Sequence, residues 1–145
     1  MMKENYLIKI IGTQIIDGES DSIEVLTLGS YELRNGKRYI IYKEYIEGVS
    51  EPKTTIVKFE SESLVSIINP SSNQSRLSLE TNKRHLCHYA TPVGDLLVGV
   101  STESIQSTLD DNGGTLEVKY TLDFNSNIAS VNKFFIEVTK TNDKS

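Results

Sequence analysis

A chain of 145 residues with a net charge of −5 and a pI near 5.1 has no excess of Lys and Arg. It therefore lacks the basic face with which nucleic-acid binders displace counterions from phosphates, and no nucleic acid is expected as a partner. A single cysteine excludes an internal disulfide, and MMKENYLIKIIGTQ has neither the apolar run nor the cleavage site of a secretion signal. Lys9, Asp17 and Glu24 break up the apolar runs before any reaches the ~18–20 residues of a membrane helix. These features predict a reduced, cytoplasmic protein that stays out of the membrane. The length suits one domain, 1–145, large enough for a core without staples.

In chain order, turn chemistry recurs at short intervals: Asp17-Gly18, Asn35-Gly36, Glu47-Gly48 to Pro52, Glu60–Ser63, Asn69-Pro70, Thr81–Arg84, Thr91–Gly94, Asn112–Gly114 and Asn125–Asn127. These breaks imply about ten strands. Asn35-Gly36 is the sharpest, because a two-residue hairpin loop needs positive φ at both positions. Thr91-Pro92-Val93-Gly94 suits a type I turn. In Lys37–Ile46, Tyr39, Ile41, Lys43 and Tyr45 share one face and Ile40, Tyr42, Glu44 and Ile46 the other, so both faces are half apolar and a strand covered on both sides is expected. Ser101–Asp110 has Ile105 and Leu109 at helical spacing, yet its Ser and Thr favour the strand assigned to it. In Thr115–Phe124, Leu116, Val118, Tyr120, Leu122 and Phe124 alternate with polar residues, one face buried and one wet. Phe134, Ile136 and Val138 repeat this in the last strand, and Thr141–Ser145 reads as a frayed tail.

Ten short strands joined by hairpins fit an all-β fold, either a two-sheet sandwich or an antiparallel meander barrel of about 8–10 strands. Closure removes exposed edges, which favours the barrel.

Two clusters invite a functional reading. HLCH, His85–His88, holds both histidines and the cysteine. On a strand, however, His85 and Cys87 point one way and Leu86 and His88 the other, so the three cannot converge on a metal. One variant keeps a role for His88, as an axial haem ligand inside a barrel or as an enzyme residue. The second cluster is Tyr42 and Glu44 with Lys58. If Ile46 pairs near Thr54, these three lie on one face; outward they form a surface ion pair, inward a paired polar group in a cavity. Tyr42, Tyr89 and Tyr120 are the tyrosines suited to lining a pocket. Gly113-Gly114 lacks the following Lys-Ser/Thr of a phosphate loop, and Asp110-Asp111 lacks the spacing of a calcium loop.

The runs Thr54-Thr55-Ile56-Val57-Lys58, Tyr89-Ala90-Thr91-Pro92-Val93-Gly94 and Gly113–Tyr120, in that order and spacing, resemble the YwiB-like family of small bacterial proteins, a domain of unknown function (DUF1934). The likeness runs from Gly12-Thr13-Gln14 to the last strand. Val93 stands where the family pattern suggests an aromatic, and Ile68-Asn69-Pro70 where it suggests an Arg-x-Gly turn. The resemblance implies a calycin-like barrel, similar to lipocalins, with an interior of the kind that can take a ligand; it implies no reaction and no catalytic residues. The leading expectation is a non-enzymatic binder of a small apolar or amphipathic molecule, lined by Tyr42, Glu44, Lys58, Tyr89 and Tyr120, without metal or cofactor. The alternatives are an interaction protein or homodimer with a filled interior that uses an exposed strand edge or the apolar outer face near Phe135, and the His88 reading.

Overall fold

The computed structural model describes residues 5–45, 47–48, 50–70, 75–91 and 94–141, with residues 75, 89–91, 94 and 95 described as backbone alone. The chain forms β1 (Tyr6–Ile16), β2 (Glu19–Arg34), β3 (Lys37–Glu44), β4 (Lys53–Ser61), β5 (Leu64–Asn69), β6 (Ser75–Glu80), β7 (Arg84–Thr91), β8 (Gly94–Ser107), β9 (Gly113–Phe124) and β10 (Asn127–Lys140). Each pairs antiparallel with its neighbour in sequence, and β1 pairs with β10 from Tyr6↔Lys140 to Ile15↔Val131. The result is a ten-stranded antiparallel meander that is nearly a closed barrel. Around this ring only β6 and β7 share no hydrogen-bonded ladder among the described residues. That seam is crossed by His85 Nε2 and Glu80 Oε1 at 2.8 Å, and the Asn82 N–H just past β6 donates to Thr102 O of β8 at 3.4 Å.

The turns follow their residues. Asn35 and Gly36 have φ of 51° and 78°, as do Asp17 and Gly18, the double positive φ of a tight hairpin. Pro92 and Val93 of the expected type I turn lie outside the described residues. At the start of the tail, the Thr141 N–H and hydroxyl both donate to Asn5 O, at 3.0 and 2.8 Å. Residues 142–145 lie outside the described residues.

Alternation decides which face is inside. Ile8 and Ile10 of β1, Leu116 and Val118 of β9, and Ile136 and Val138 of β10 are buried in register with one another. Ile40, Val57, Val65, Leu79, Val98 and Val100 complete the interior from the other strands. Phe124 keeps the inward phase of β9 but sits at the strand end, where it is exposed. In β3 the outer face is covered by side chains and not by a second layer: Arg34 Cζ and Lys58 Nζ lie 5.4 and 5.5 Å from the centroid of the Tyr39 ring. The mixed spacing of Ser101–Asp110 has a cause in a register shift between Thr102 and Ser104, which brings Ile105 opposite Val118 after Thr102 opposite Tyr120. A bulge changes the parity of everything beyond it, so even- and odd-numbered residues of β8 both face the core.

One end of the barrel is capped by its own turn. The Tyr31 hydroxyl donates to Asp110 O at 2.6 Å, and Arg38 Nη2 reaches Asp111 Oδ1 at 3.1 Å. Those contacts run from β2 and β3 across the mouth to the β8–β9 connection, with the Tyr6 ring packed edge-on against Tyr31.

Candidate functional site: a cleft at the open end of the barrel

At the opposite end, where the β1–β2 and β9–β10 hairpins turn, a cleft of about 410 Å³ opens against β1, β2, β9 and β10. Its floor is Gly12. In register, Gly12 sits between Ile23 of β2 and Phe134 of β10, so a position without a side chain lies between two large apolar ones. A Cβ placed on Gly12 would meet nothing within 4 Å. Glycine inside a strand usually marks a bulge or a close approach; here it leaves a gap. Gln14 and Asp21 pair with each other one step further along the same face, and Tyr120 and Asn132 face each other beyond Phe134. The intervening Thr13, Ser22 and Lys133 also border the cleft, although strand alternation turns their side chains toward the outer face.

The walls are ordered. The Tyr120 and Phe134 rings meet edge to face, centroids 6.2 Å apart and planes at 67°. Asn132 Nδ2 donates to Ser130 Oγ at 2.9 Å, which holds a buried amide at the cleft wall. Ile23 is 67% exposed, an apolar side chain left uncovered at the rim.

Of the five residues expected to line a pocket, Tyr120 lies in this cleft. Tyr42 and Glu44 share the inner face of β3 but line a different part of the wall, opposite Thr55 and Lys53. Tyr42 is almost fully buried; burial, and secondarily the Glu44 charge, push its hydroxyl up to about 12. Lys58 is corrected: it pairs with Tyr39 and faces outward, because β3 and β4 pair as Glu44↔Lys53 and not with Ile46 near Thr54. That register differs from the expected one by an odd number of residues, which exchanges the faces. The side chain of Tyr89 lies outside the described residues; its backbone pairs with Leu96.

On the outer face Lys58 joins a cluster around Glu60. Ser66 Oγ donates to Glu60 Oε2 at 2.6 Å, with Lys37, Lys58 and Arg76 nitrogens at 3.4, 3.7 and 3.7 Å. The Ser66 hydrogen bond, then the neighbouring lysines, hold this carboxyl below the ordinary range against the opposing effect of burial. On the other side of the barrel, Arg84 lies across Gly99 and grips Asp123 with two hydrogen bonds of 2.7 and 3.1 Å.

HLCH separates as strand alternation requires. Cys87 is buried and His85 contacts Glu80, while His88 and Leu86 are exposed on the outside. An outward His88 cannot ligate a haem inside the barrel. Among the described residues no group of three His, Cys, Asp or Glu side chains gathers around a common point. Phe135 is half-buried on the outer face between Ile11 and Glu117. Sequence reasoning missed Gly12, Gln14, Asp21, Ile23 and Asn132 as site residues. The available signal was Gly12 itself, a glycine with no turn chemistry inside an apolar strand.

The fold and the cleft define a class, an antiparallel β-barrel capped at one end and cleft at the other. The chain belongs to the family described as Domain of unknown function (DUF1934), whose profile matches residues 8–136. It is similar to the uncharacterized beta-barrel protein YwiB of Bacillus subtilis, 32% identical over 104 residues that cover 72% of this chain and 71% of the relative. The crystal structure of ywiB protein from Bacillus subtilis superimposes with a TM-score of 0.80 at 25% identity, covering 96% of this chain and 94% of that one.

Proposed function

We propose that the protein is a non-enzymatic binder of a small apolar or amphipathic molecule, held in the cleft at the open end of the barrel. The observation that carries this reading is the vacancy over Gly12, flanked by Ile23 and Phe134. A mid-strand glycine costs stability relative to alanine, and the space it leaves is walled by an aromatic pair with a few polar groups around it. A volume of about 410 Å³ falls within the roughly 300–1,000 Å³ of small-molecule sites. The middle of the barrel is packed by its own Ile, Leu and Val side chains, so the rim is the better seat than the centre, with Tyr120 as a lining residue.

The test is a ¹⁵N–¹H titration with octan-1-ol as probe, with native mass spectrometry of gently purified protein to catch a co-purified molecule. Saturable shifts confined to Gly12, Gln14, Ile23, Tyr120, Asn132 and Phe134 are expected, and Gly12→Leu should remove them. Shifts elsewhere, or binding that survives a folded Gly12→Leu protein, would refute the proposal.

A further inference from the structure

We propose that the molecule this cleft takes is an organic cation, an ammonium group carrying an apolar body; the inference rests on the cleft being a binding site. Of the side chains that the register turns into the cleft, Asp21 is the one that is charged; Gln14, Asn132 and Tyr120 are neutral and polar, and Ile23 and Phe134 apolar. From Ile10 to Leu33 the chain carries Asp17, Glu19, Asp21, Glu24 and Glu32 and no Lys, Arg or His. Asp17, Glu19 and Asp21 come together with Gln14 around a second hollow that adjoins the cleft at the β1–β2 turn. None of these three carboxylates is engaged by a cation among the described residues, whereas Glu24, on the outer face, has Lys9 at 3.8 Å.

Lys119 and Lys133 of the adjoining strands face each other in register, and alternation turns their side chains to the outer surface although Lys133 borders the cleft. The cleft thus offers a carboxylate at its mouth and an aromatic pair in its wall. An ammonium group is attracted both to a carboxylate and to an aromatic π-face, and an apolar body gains by covering Ile23, which is largely exposed. A carboxylate or phosphate headgroup would meet Asp21 with the acidic hairpin behind it and be repelled.

The experiment titrates ¹⁵N-labelled protein with octylammonium, octan-1-ol and octanoate, which share one chain and differ in charge. Octylammonium is expected to bind about tenfold tighter than octan-1-ol, and octanoate weakest. Asp21→Asn should cost octylammonium about three- to fivefold more than it costs octan-1-ol. Glu24→Gln removes the same charge from the other face and should change neither. Equal affinity for the three probes, or equal losses in Asp21→Asn and Glu24→Gln, would overturn the cation inference while leaving the binding site standing. The absence of saturable cleft shifts with all three probes would overturn both.

Discussion

Filling the vacancy over Gly12 should make the protein more stable while removing its site. Gly12 has no left-handed backbone, and an added Cβ would meet nothing within 4 Å, so no strain opposes a larger residue. Replacing a mid-strand glycine returns roughly 0.5–1 kcal/mol. Fully burying a leucine is worth about 1.5–3 kcal/mol; the cleft is open on one side, so roughly half of that, near 1 kcal/mol, applies. Gly12→Leu is then expected to gain about 1.5–2 kcal/mol and Gly12→Ala only the glycine part. For a chain of this size each kcal/mol moves Tm by about 2–4 °C, so the leucine variant should melt about 3–8 °C higher. The assay is urea unfolding followed by circular dichroism, beside calorimetry, on protein stripped of any adduct, because a molecule bound to the folded state would raise the wild-type value by mass action. If both variants lose 1 kcal/mol or more, or leucine is less stable than alanine, the space over Gly12 is not empty and the reasoning fails.

Arg84 holds the Asp123 carboxyl below its usual range, aided by the Ser126 N–H and opposed by burial. A carboxyl whose folded pKa is depressed contributes above its unfolded value, near 3.9, and loses that contribution as pH falls through the folded one; acid unfolding curves should therefore steepen below about pH 4 in the wild type and flatten in Arg84→Met. At the other extreme, the Tyr42 hydroxyl, pushed up to about 12 by burial and the Glu44 charge, contributes fully below the ordinary tyrosine value near 10 and loses that contribution as pH rises through its folded value. Ultraviolet titration should show a late-ionising tyrosine that disappears in Tyr42→Phe, and its persistence in that variant would assign the late step to another residue.

The sequence by itself determined the elements and, where alternation is clean, their inward faces. Alternation in Leu116–Leu122 and Phe134–Val138 is carried by covalent geometry, which turns successive side chains to opposite faces wherever the strand lies. Asn35-Gly36 and Asp17-Gly18 likewise specify their own turns. The same local rule separated His88 from His85 and Cys87 before any tertiary contact was known. The tertiary structure decided what depends on residues far apart in the chain. Lys58 faces outward because β3 and β4 pair as Glu44↔Lys53, a register set across the connection between them and not written in either strand. Ile105 faces inward because β8 carries a bulge after Thr102. Gly12 becomes a cleft floor only when β1 lies between β2 and β10, with Ile23 on one side and Phe134 on the other. Periodicity belongs to neighbours along the chain, but an empty space belongs to whichever strands pairing brings around it, so the strands were legible from the start and the site was not.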